Sequence, residues 1–382
     1  MASGPSTVNT AHGQLALPVF LPDATRGVVR SVDSRDLEAC GVAGLVVNTL
    51  HLSTNPGAGL IKAMGGIHHF MRWRRPVVSD SGGFQLMSMI RSNPRYGTIS
   101  DRGIHFTNVD RGGGKVKFTP EKSTQVQFDL ASDIMICLDD CPSPQASAAE
   151  NVESVRRTVL WARRCRAEFD RLLDVRGRVD EGRPLLFGVI QGGYDRQLRA
   201  DCAGELLELG FEGYGLGGWP LDQEGHLAEE IVGYTAGLMP DGLPKFALGV
   251  GKPENVVRGF QMGYTIFDCV LPTRDARRGR LYTFSAPSLD AMDLFDEGFY
   301  RFVYVRDKKH KRDGRPISEA CDCGCCRNYS LGYLHHLFEI KDTLAYRLAT
   351  MHNLRFYTQL MARLGAWGSS STASTVTSFR GG

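Results

Sequence analysis

The residues best suited to chemistry in this sequence are four cysteines within six consecutive positions: Cys321, Cys323, Cys325 and Cys326. Three histidines follow them: His335, His336 and His352. Three thiolates and one imidazole form a closed tetrahedral site that is typical of structural zinc. Spacing alone does not choose between the last two cysteines or among the three histidines. The cluster therefore predicts a Cys₃His zinc site, but spacing does not determine which of these residues are its four ligands.

A second set of polar residues stands where apolar runs of strand length end: Asp80, Asp139, Asp140, Gln191 and Asp268. Buried carboxylates that face one another repel, so such a cluster is seldom retained for stability alone. One carboxylate acting as nucleophile and another moving protons is typical of glycosidic bond exchange through a covalent intermediate. The alternative is that each aspartate caps the helix that follows its strand.

The same predicted site suits a polar heterocycle. Gln191 and the backbone of nearby glycine turns can hydrogen-bond a base, and such a site rejects bases that leave its groups unpaired. Phe84 and Leu248 can contact the two faces of the ring. The sequence contains no phosphate loop, serine nucleophile elbow or His-Glu-x-x-His motif. Carboxylate chemistry on a heterocycle is the class that remains.

Eight short apolar runs, each followed by a longer amphipathic stretch, must position these residues. They are "LPVFLPDAT", "GLVVNT", "PVVSDSGG", "DIMICLDD", "PLLFGVIQGG", "YGLGG", "KFALGVG" and "IFDCVLPT". Continuous apolar runs are typical of parallel strands that are covered on both faces. Eight strand-helix units predict an α/β protein with a (β/α)₈ barrel, whose active site lies at the carboxyl ends of its strands. A doubly wound open sheet is the alternative, but the glycine-rich turn expected after its first strand is missing.

We predict three regions along the chain: a catalytic barrel at 1–300, a helical zinc-binding subdomain at 301–366 and a disordered polar tail at 367–382. An alternating, glycine-turned stretch at 97–123 predicts a hairpin inserted between the third and fourth barrel strands.

The net charge of +3, from 45 basic and 42 acidic residues, does not by itself indicate a nucleic-acid partner. Basic residues nevertheless cluster in "PTRDARRGR" and "VRDKKHKRDGR", which favours a polyanion along one face. A solvated surface is the alternative. The sequence has no apolar run of 18 residues and no recognisable signal peptide, so we expect a cytoplasmic protein with its cysteines as thiols or metal ligands.

From about Val8 to Leu364 the sequence resembles the tRNA-guanine transglycosylase family. The resemblance depends on "SDSGGFQ", "SDIMICLDDC", "FGVIQGG", "LGVGKP", "FDCVLPTR", "CDCGCC" and "MHN", in that order. It implies an irregular barrel with a zinc subdomain and a pentosyltransferase activity. It also implies that Asp268 attacks ribose C1′ of the target nucleotide while Asp80 is the general acid/base. A stacked anticodon base cannot reach a barrel site, so the nucleotide must be extruded into it.

The resemblance implies roles for further residues. Base contacts are assigned to Asp139, Gln191, Gly218, Phe84 and Leu248. Contacts to neighbouring nucleotides are assigned to Arg274 and Arg277. The zinc ligands are assigned as Cys321, Cys323, Cys326 and His352, which leaves Cys325 as a spare thiol.

We therefore predict exchange of the wobble guanine of G-U-N anticodon tRNAs for queuine or its aminomethyl precursor, by a homodimer or a heteromer with a paralogous subunit. Two alternatives are a noncatalytic tRNA-binding partner and a transglycosylase that acts at another nucleic-acid position. Trp219 and Pro220 depart from the small residues that the family has after its paired glycines, on the side that meets the substituent of the base. Leu50 stands where the family has tyrosine.

Overall fold

A computed structural model describes residues 4–108, 114–177, 182–222, 224–290 and 292–377. The strands are β1 (Thr7–Thr10), β2 (Gly13–Ala16), β3 (Val19–Pro22), β4 (Leu45–Asn48), β5 (Val77–Asp80), β6 (Gly97–Ser100), β7 (Gly103–Asn108), β8 (Gly114–Phe118), β9 (Ile134–Ile136), β10 (Leu185–Ile190), β11 (Gly213–Leu216), β12 (Lys245–Ala247), β13 (Ile266–Cys269), β14 (Arg280–Phe284) and β15 (Tyr300–Tyr304). The helices are α1 (Ser34–Ala39), α2 (Thr49–Thr54), α3 (Ala58–Ala63), α4 (Ile67–Met71), α5 (Gly83–Ser92), α6 (Pro120–Leu130), α7 (Ala148–Arg176), α8 (Arg196–Leu209), α9 (Glu229–Leu238), α10 (Pro253–Gln261), α11 (Leu271–Arg277), α12 (Gly324–Asn328), α13 (Leu331–Glu339) and α14 (Thr343–Thr377).

Eight parallel strands form the central sheet, in the order β3-β13-β12-β11-β10-β9-β5-β4. The two ends of this sheet meet, because Asp23 bridges Val46 in parallel and the Ala24 amide donates to the Val46 carbonyl at 2.7 Å. Each of the eight strands coincides with one of the apolar runs in the sequence. The predicted (β/α)₈ barrel is therefore confirmed, and the strand interiors are apolar because side chains on both faces are buried.

Local sequence signals set the helix ends around the barrel. Ser147 and Glu150 form a capping box at the start of α7, which ends at Gly177 with a left-handed φ of 62°. Helix α6 begins with Pro120, directly after the N-cap Thr119. Such caps fix the point at which each strand-to-helix loop ends.

The β1–β2 hairpin is tied to the amino-terminal end of the barrel by one carboxylate. Asp133 accepts from His12 Nδ1 at 2.8 Å and lies 3.0 Å from His68 Nε2, and the two imidazole rings stack at 3.4 Å. The Val77 amide donates to the same carboxylate at 2.8 Å. Burial acts to raise the pKa of Asp133, but these hydrogen bonds and the nearby His68 lower it to about 2. An ionised Asp133 therefore joins the hairpin to the barrel.

The predicted insertion between the third and fourth barrel strands is confirmed and has three strands. Strands β6, β7 and β8 form an antiparallel sheet in which β7 is central. The chain between β7 and β8, at 109–113, lies outside the described residues. The sheet packs against helix α5, which follows barrel strand β5.

Helix α14 joins the carboxyl-terminal region to the barrel. Its Phe356, Tyr357 and Leu360 lie in the same buried cluster as Phe20 and Phe267 of the barrel strands. The apolar core is therefore continuous across residue 300, the predicted boundary between the barrel and the zinc-binding subdomain.

Further along helix α14, Trp367 packs against two aromatic side chains. Trp367 contacts the rings of Phe295 and Phe260, with centroid distances of 4.5 and 6.3 Å. The helix thus extends past the first residue of the predicted tail, and residues 378–382 lie outside the described part of the chain. Within that described part, no helix is both long and apolar enough to cross a membrane.

Candidate active site and metal cluster

A cavity of about 380 Å³ opens at the carboxyl ends of the barrel strands. Three carboxylates predicted from the sequence line it together: Asp80 at the end of β5, Asp139 after β9 and Asp268 in β13. Parallel strands that close into a barrel bring their ends to one mouth, so residues 188 positions apart share this wall. The shared cavity favours a joint catalytic role over three separate helix caps.

Asp80 is held by the junction of strand β4 with helix α2 and by the turn that follows its own strand. Its carboxylate accepts from the Asn48 side-chain amide at 2.7 Å, the Thr49 amide at 3.1 Å and the Gly82 amide at 3.0 Å. Burial raises the pKa of Asp80 to about 7, although these three hydrogen bonds oppose the shift and the charge of Asp268 adds to it. A carboxyl group with a pKa near neutrality can both donate and accept a proton at physiological pH.

Asp268 has fewer partners than Asp80. The Gly249 amide donates to its Oδ1 at 2.8 Å, and burial raises its pKa to about 6. With this pKa the carboxyl group is largely ionised at neutral pH, and Gly249 is its only hydrogen-bond partner among the described residues. A fixed, sparsely solvated carboxylate is suited to nucleophilic attack.

Asp139 and Gln191 form a pair at the floor of the site. Gln191 Nε2 donates to Asp139 Oδ2 at 2.6 Å, and burial raises the pKa of Asp139 to about 6. Gln191 is fully buried and is not one of the residues that line the cavity, and its Oε1 has no hydrogen-bond partner among the described residues. A buried amide oxygen without a partner is costly, so this pair is ready for a ligand that carries hydrogen-bond donors.

Asp140 belongs to the predicted strand-end set but does not line the cavity. Its carboxylate is completely buried and pairs with the guanidinium groups of Arg91 and Arg157. Arg91 also donates to the Cys141 carbonyl. Asp140 thus fixes the loop after β9, and the aspartate next to it in sequence is the one that faces the cavity.

Apolar side chains supply the walls of the cavity. Phe84, which is 43% exposed, and Leu248 both line it. Trp219 packs against Phe84 with a centroid distance of 5.6 Å and donates its indole N–H to the Pro142 carbonyl at 3.0 Å. The same two aromatic residues also line a neighbouring cavity of about 260 Å³. The Phe84–Trp219 pair therefore forms the partition between two spaces.

The paired glycines after β11 allow close approach of backbone to Gln191. A Cβ at Gly217 would lie 2.7 Å from Gln191 Nε2, and one at Gly218 would lie 3.3 Å from Gln191 Oε1. Gly218 also has a left-handed φ of 86°. Both positions therefore require glycine for Gln191 and the adjoining cavity wall to keep their arrangement.

Arg274 and Arg277 lie on helix α11, directly after Asp268, and outside the cavity lining. Burial, with the positive charges of Arg30 and Arg274 nearby, lowers the pKa of Arg277. Arg277 Nη1 is buried with no partner in the described part of the chain.

Leu50, which stands where the family has tyrosine, packs against the apolar core close to Gly82. A Cβ on Gly82 would lie 2.8 Å from the Leu50 amide nitrogen.

Of the four cysteines and three histidines considered as zinc ligands, the structure brings four together: Cys321, Cys323, Cys326 and His352. Their ligand atoms all lie within 4.8 Å of one another, and His352 Nδ1 is 3.3 Å from the Cys326 sulfur. His352 Nε2 contacts the Tyr282 carbonyl at 2.7 Å, an outer hydrogen bond that orients a ligating imidazole. His335 instead contacts the Val305 carbonyl, and Cys325 is buried outside the set. This donor set can hold a metal ion.

Sequence reasoning did not identify several residues that support the site. Arg199 reads as an ordinary polar residue of an amphipathic helix, yet it is 1% exposed and donates to three backbone carbonyls. Arg91 and Arg157 are likewise unremarkable in sequence. Asp140 is the residue that could have pointed to Arg91 and Arg157, because a completely buried aspartate requires cationic partners.

Comparison with known proteins agrees with the geometry. The family described as "Queuine tRNA-ribosyltransferase" matches residues 5–366. A protein of that name from Solidesulfovibrio magneticus is 38% identical over 357 residues, which cover 93% of this chain and 88% of the relative. Proteins of the same name from Bacillus velezensis and Shouchella clausii are 37% and 39% identical, each over 94% of this chain and 86% of the relative.

Proposed function

Because the chain belongs to the queuine tRNA-ribosyltransferase family, we propose that it exchanges the wobble guanine of G-U-N anticodon tRNAs for a 7-deazaguanine, queuine or its aminomethyl precursor. The chain is an enzyme, a tRNA-guanine transglycosylase and hence a pentosyltransferase. One observation carries the proposed mechanism: two carboxylates with different hydrogen-bond environments, Asp80 and Asp268, line the same cavity.

In the first half of the reaction, an oxygen of ionised Asp268 attacks ribose C1′, and the bond from C1′ to N9 of guanine breaks. The electron pair of that bond leaves with guanine, and protonated Asp80 transfers its proton to the departing base. The product is an ester between Asp268 and the ribose. The pKa of about 7 for Asp80 and about 6 for Asp268 supports this division of roles near neutral pH.

In the second half, Asp80 accepts a proton from the incoming deazaguanine as the base attacks C1′ from the face that guanine left. The Asp268 oxygen departs as carboxylate, so the enzyme returns to its starting state. Two successive inversions retain the configuration at C1′. Atoms and charges balance without a further reactant.

The base pocket is proposed to hold both bases in turn. We assign the N–H donors of the guanine-like ring to the Asp139 carboxylate, which lines the cavity, and to the Gln191 oxygen, which is buried beside it and has no partner among the described residues. The Gly218 peptide adds a backbone contact. Phe84 and Leu248 contact the ring faces. Both natural deazaguanines share this ring, so the choice between them depends on the space around the substituent.

Arg274 and Arg277 are proposed to contact phosphates or neighbouring bases of the anticodon loop. Arg277 is crowded by like charges and has a buried Nη1, and an anion at this point would compensate both. The target nucleotide must leave its stack to reach Asp268, and base flipping of this kind is common among enzymes that act on bases.

The bound metal is proposed to be zinc, held by Cys321, Cys323, Cys326 and His352. Zinc in a closed Cys₃His site supplies structural stability and takes no part in the reaction. A cytoplasmic location and a homodimer, or a heteromer with a paralogous subunit, complete the proposal.

The test is exchange of radiolabelled guanine into a purified G-U-N anticodon tRNA. We expect incorporation by the wild-type protein, loss of at least a thousandfold in rate with Asp268→Asn, and an RNA adduct at Asp268 that survives denaturation. A control is Asp170→Asn, which changes a half-exposed carboxylate on helix α7, outside the cavity, and is expected to keep adduct formation. Wild-type protein that binds tRNA without exchange would support the alternative of a noncatalytic partner. Exchange at another nucleotide would support a transglycosylase that acts at a different nucleic-acid position.

A further inference from the structure

Arg199 is buried beneath the base pocket without a carboxylate partner. It lies on helix α8, is 1% exposed, and forms no ion pair within the part of the chain that the structure describes. A guanidinium removed from water and not paired with an anion is expensive to retain. Its presence therefore calls for a specific reason beyond filling space.

All three described hydrogen bonds of the Arg199 side chain go to backbone carbonyls at two strand ends. Nε donates to Gly193 at 2.8 Å and Nη1 to Ile190 at 3.1 Å, which brackets Gln191 at the end of β10. Nη2 donates to Gly217 at 3.1 Å, at the end of β11. One planar group thus joins the turn that carries Gln191 to the turn that carries Gly218.

The bond to Gly217 also determines the direction of the next peptide N–H. In a planar trans peptide the carbonyl and the following N–H point in opposite directions. Because the Gly217 carbonyl points at Arg199, the Gly218 N–H points away from it. Gly218 lines the cavity, so this orientation bears on its proposed contact with the base.

Close packing leaves the arrangement little freedom. A Cβ on Gly192 would lie 2.6 Å from the Arg199 backbone nitrogen and 2.7 Å from its Cγ. A Cβ on Gly218 would lie 3.6 Å from Nη2. The guanidinium therefore forms the layer directly behind the glycine turns.

We propose that Arg199 is a positioning residue that fixes Gln191 and the Gly218 peptide relative to each other and so sets the affinity of the site for its base. It contacts neither substrate, and its effect passes through the two turns. This inference rests on the proposed function, because it takes Gln191 and Gly218 as base-contacting groups.

The test separates KM for the base from KM for tRNA in guanine exchange. For Arg199→Met we expect a KM for guanine raised at least tenfold and a KM for tRNA within twofold of wild type. Arg199→Lys should not restore the wild-type value, since one ammonium group cannot serve both turns in a single plane. The control is Arg196→Met, one turn earlier on the same helix, where the arginine is exposed and pairs with Glu230 at 2.8 Å.

Chemical rescue gives a readout that a purely structural role would not move. In Arg199→Ala, added guanidinium ion at non-denaturing concentration should lower the KM for guanine at least threefold, with no effect on Arg196→Ala. A KM for guanine equal to that of Arg196→Met would overturn the proposal. An equal rise in the KM for guanine and the KM for tRNA would also overturn it. So would failure of every Arg199 variant to fold. Either result would mean that Arg199 contributes only to the stability of the fold.

Failure of the proposed function has a different signature. If wild-type protein does not exchange guanine, the assigned reaction is wrong, and calorimetric binding of guanine to wild type and Arg199→Met still measures the positioning effect. If wild type exchanges guanine, Asp268→Asn does not, and Arg199→Met matches wild type, only the role of Arg199 is wrong.

Discussion

His352 Nε2 lies 2.7 Å from the Tyr282 carbonyl, so this imidazole joins the metal-ligating cluster to strand β14. Its Nδ1 faces the sulfur atoms of Cys326 and Cys323 at 3.3 and 3.9 Å. Through His352, the cluster thus connects the cysteines of residues 321–326, strand β14 and helix α14. Both the metal content and the thermal stability of the protein are therefore expected to depend on this cluster.

We predict that Cys326→Ser loses the bound zinc and unfolds at a lower temperature than wild type. Three ligands cannot close the tetrahedral site, and the buried thiols around it lose the ion that holds them together. Metal content by mass spectrometry and thermal unfolding by circular dichroism measure the two effects. The neighbouring Cys325→Ser is the control and should keep one zinc per chain, so zinc loss in Cys325→Ser with retention in Cys326→Ser contradicts the ligand assignment.

The pH dependence of guanine release should be bell-shaped, with its maximum between about pH 6 and 7. Burial raises the pKa of Asp268 to about 6, so the nucleophile is protonated and inactive below that value. Burial also raises the pKa of Asp80 to about 7, so the acid has lost its proton above that value. Single-turnover release of guanine from tRNA, measured from pH 4.5 to 9, gives the apparent pKa values of the pair.

Asp80→Asn provides the control for the alkaline limb. Residual guanine release by this variant should keep its fall toward acid pH and lose its fall above about pH 7. A wild-type rate that does not change between pH 5 and 8 argues against this pair of roles.

Replacing Trp219 should alter the choice between deazaguanines. Trp219 and Phe84 separate the base cavity from the neighbouring cavity of about 260 Å³, so Trp219→Ala is expected to join the two spaces. The larger queuine should gain in kcat/KM relative to its aminomethyl precursor, by about tenfold, as expected for one altered apolar contact. Competition of the two bases on one tRNA measures the ratio, with Tyr304→Ala as a control at an exposed aromatic residue of β15 that lines neither cavity. An unchanged ratio removes Trp219 from base selection.

Asp133→Asn should lower the free energy of unfolding by about 2 to 4 kcal/mol at pH 7, because it removes an ionised acceptor shared by His12, His68 and the Val77 amide. The folded pKa of Asp133 is about 2, below its ordinary value of 3.8, so its contribution is present above about pH 4 and lost as the pH falls toward 2. Urea unfolding at pH 7 and pH 3 measures both effects. Asp170→Asn, at an exposed surface pair, should change stability by less than about 0.5 kcal/mol.

The sequence predicted the parts of the fold that depend on short-range patterns. Continuous apolar runs located all eight barrel strands, since residues buried on both faces of a parallel strand leave no polar alternation. Glycine turns and the aspartates after the strands located Asp80, Asp139 and Asp268 at one mouth. These features can be recognised because each occupies no more than ten consecutive residues.

Contacts between distant segments could not be predicted in the same way. Asp133 and His12 are 121 positions apart, and the partners of Asp140 are 49 and 17 positions away. Nothing in the local sequence distinguishes the buried Arg199 from the exposed Arg196 on the same helix. The choice of Cys326 over Cys325 likewise depends on where helix α14 places His352, which spacing does not encode.

Helix α14 carries His352 and also Tyr357, whose hydroxyl donates to the Gly251 carbonyl at 2.6 Å, two residues after the amide that holds Asp268. Helix α14 therefore links the cysteine cluster to the loop that holds Asp268. A chimera that takes residues up to 340 from one relative and the remainder from another would exchange the ligand and the loop support together, and its barrel would receive a helix shaped for a different partner.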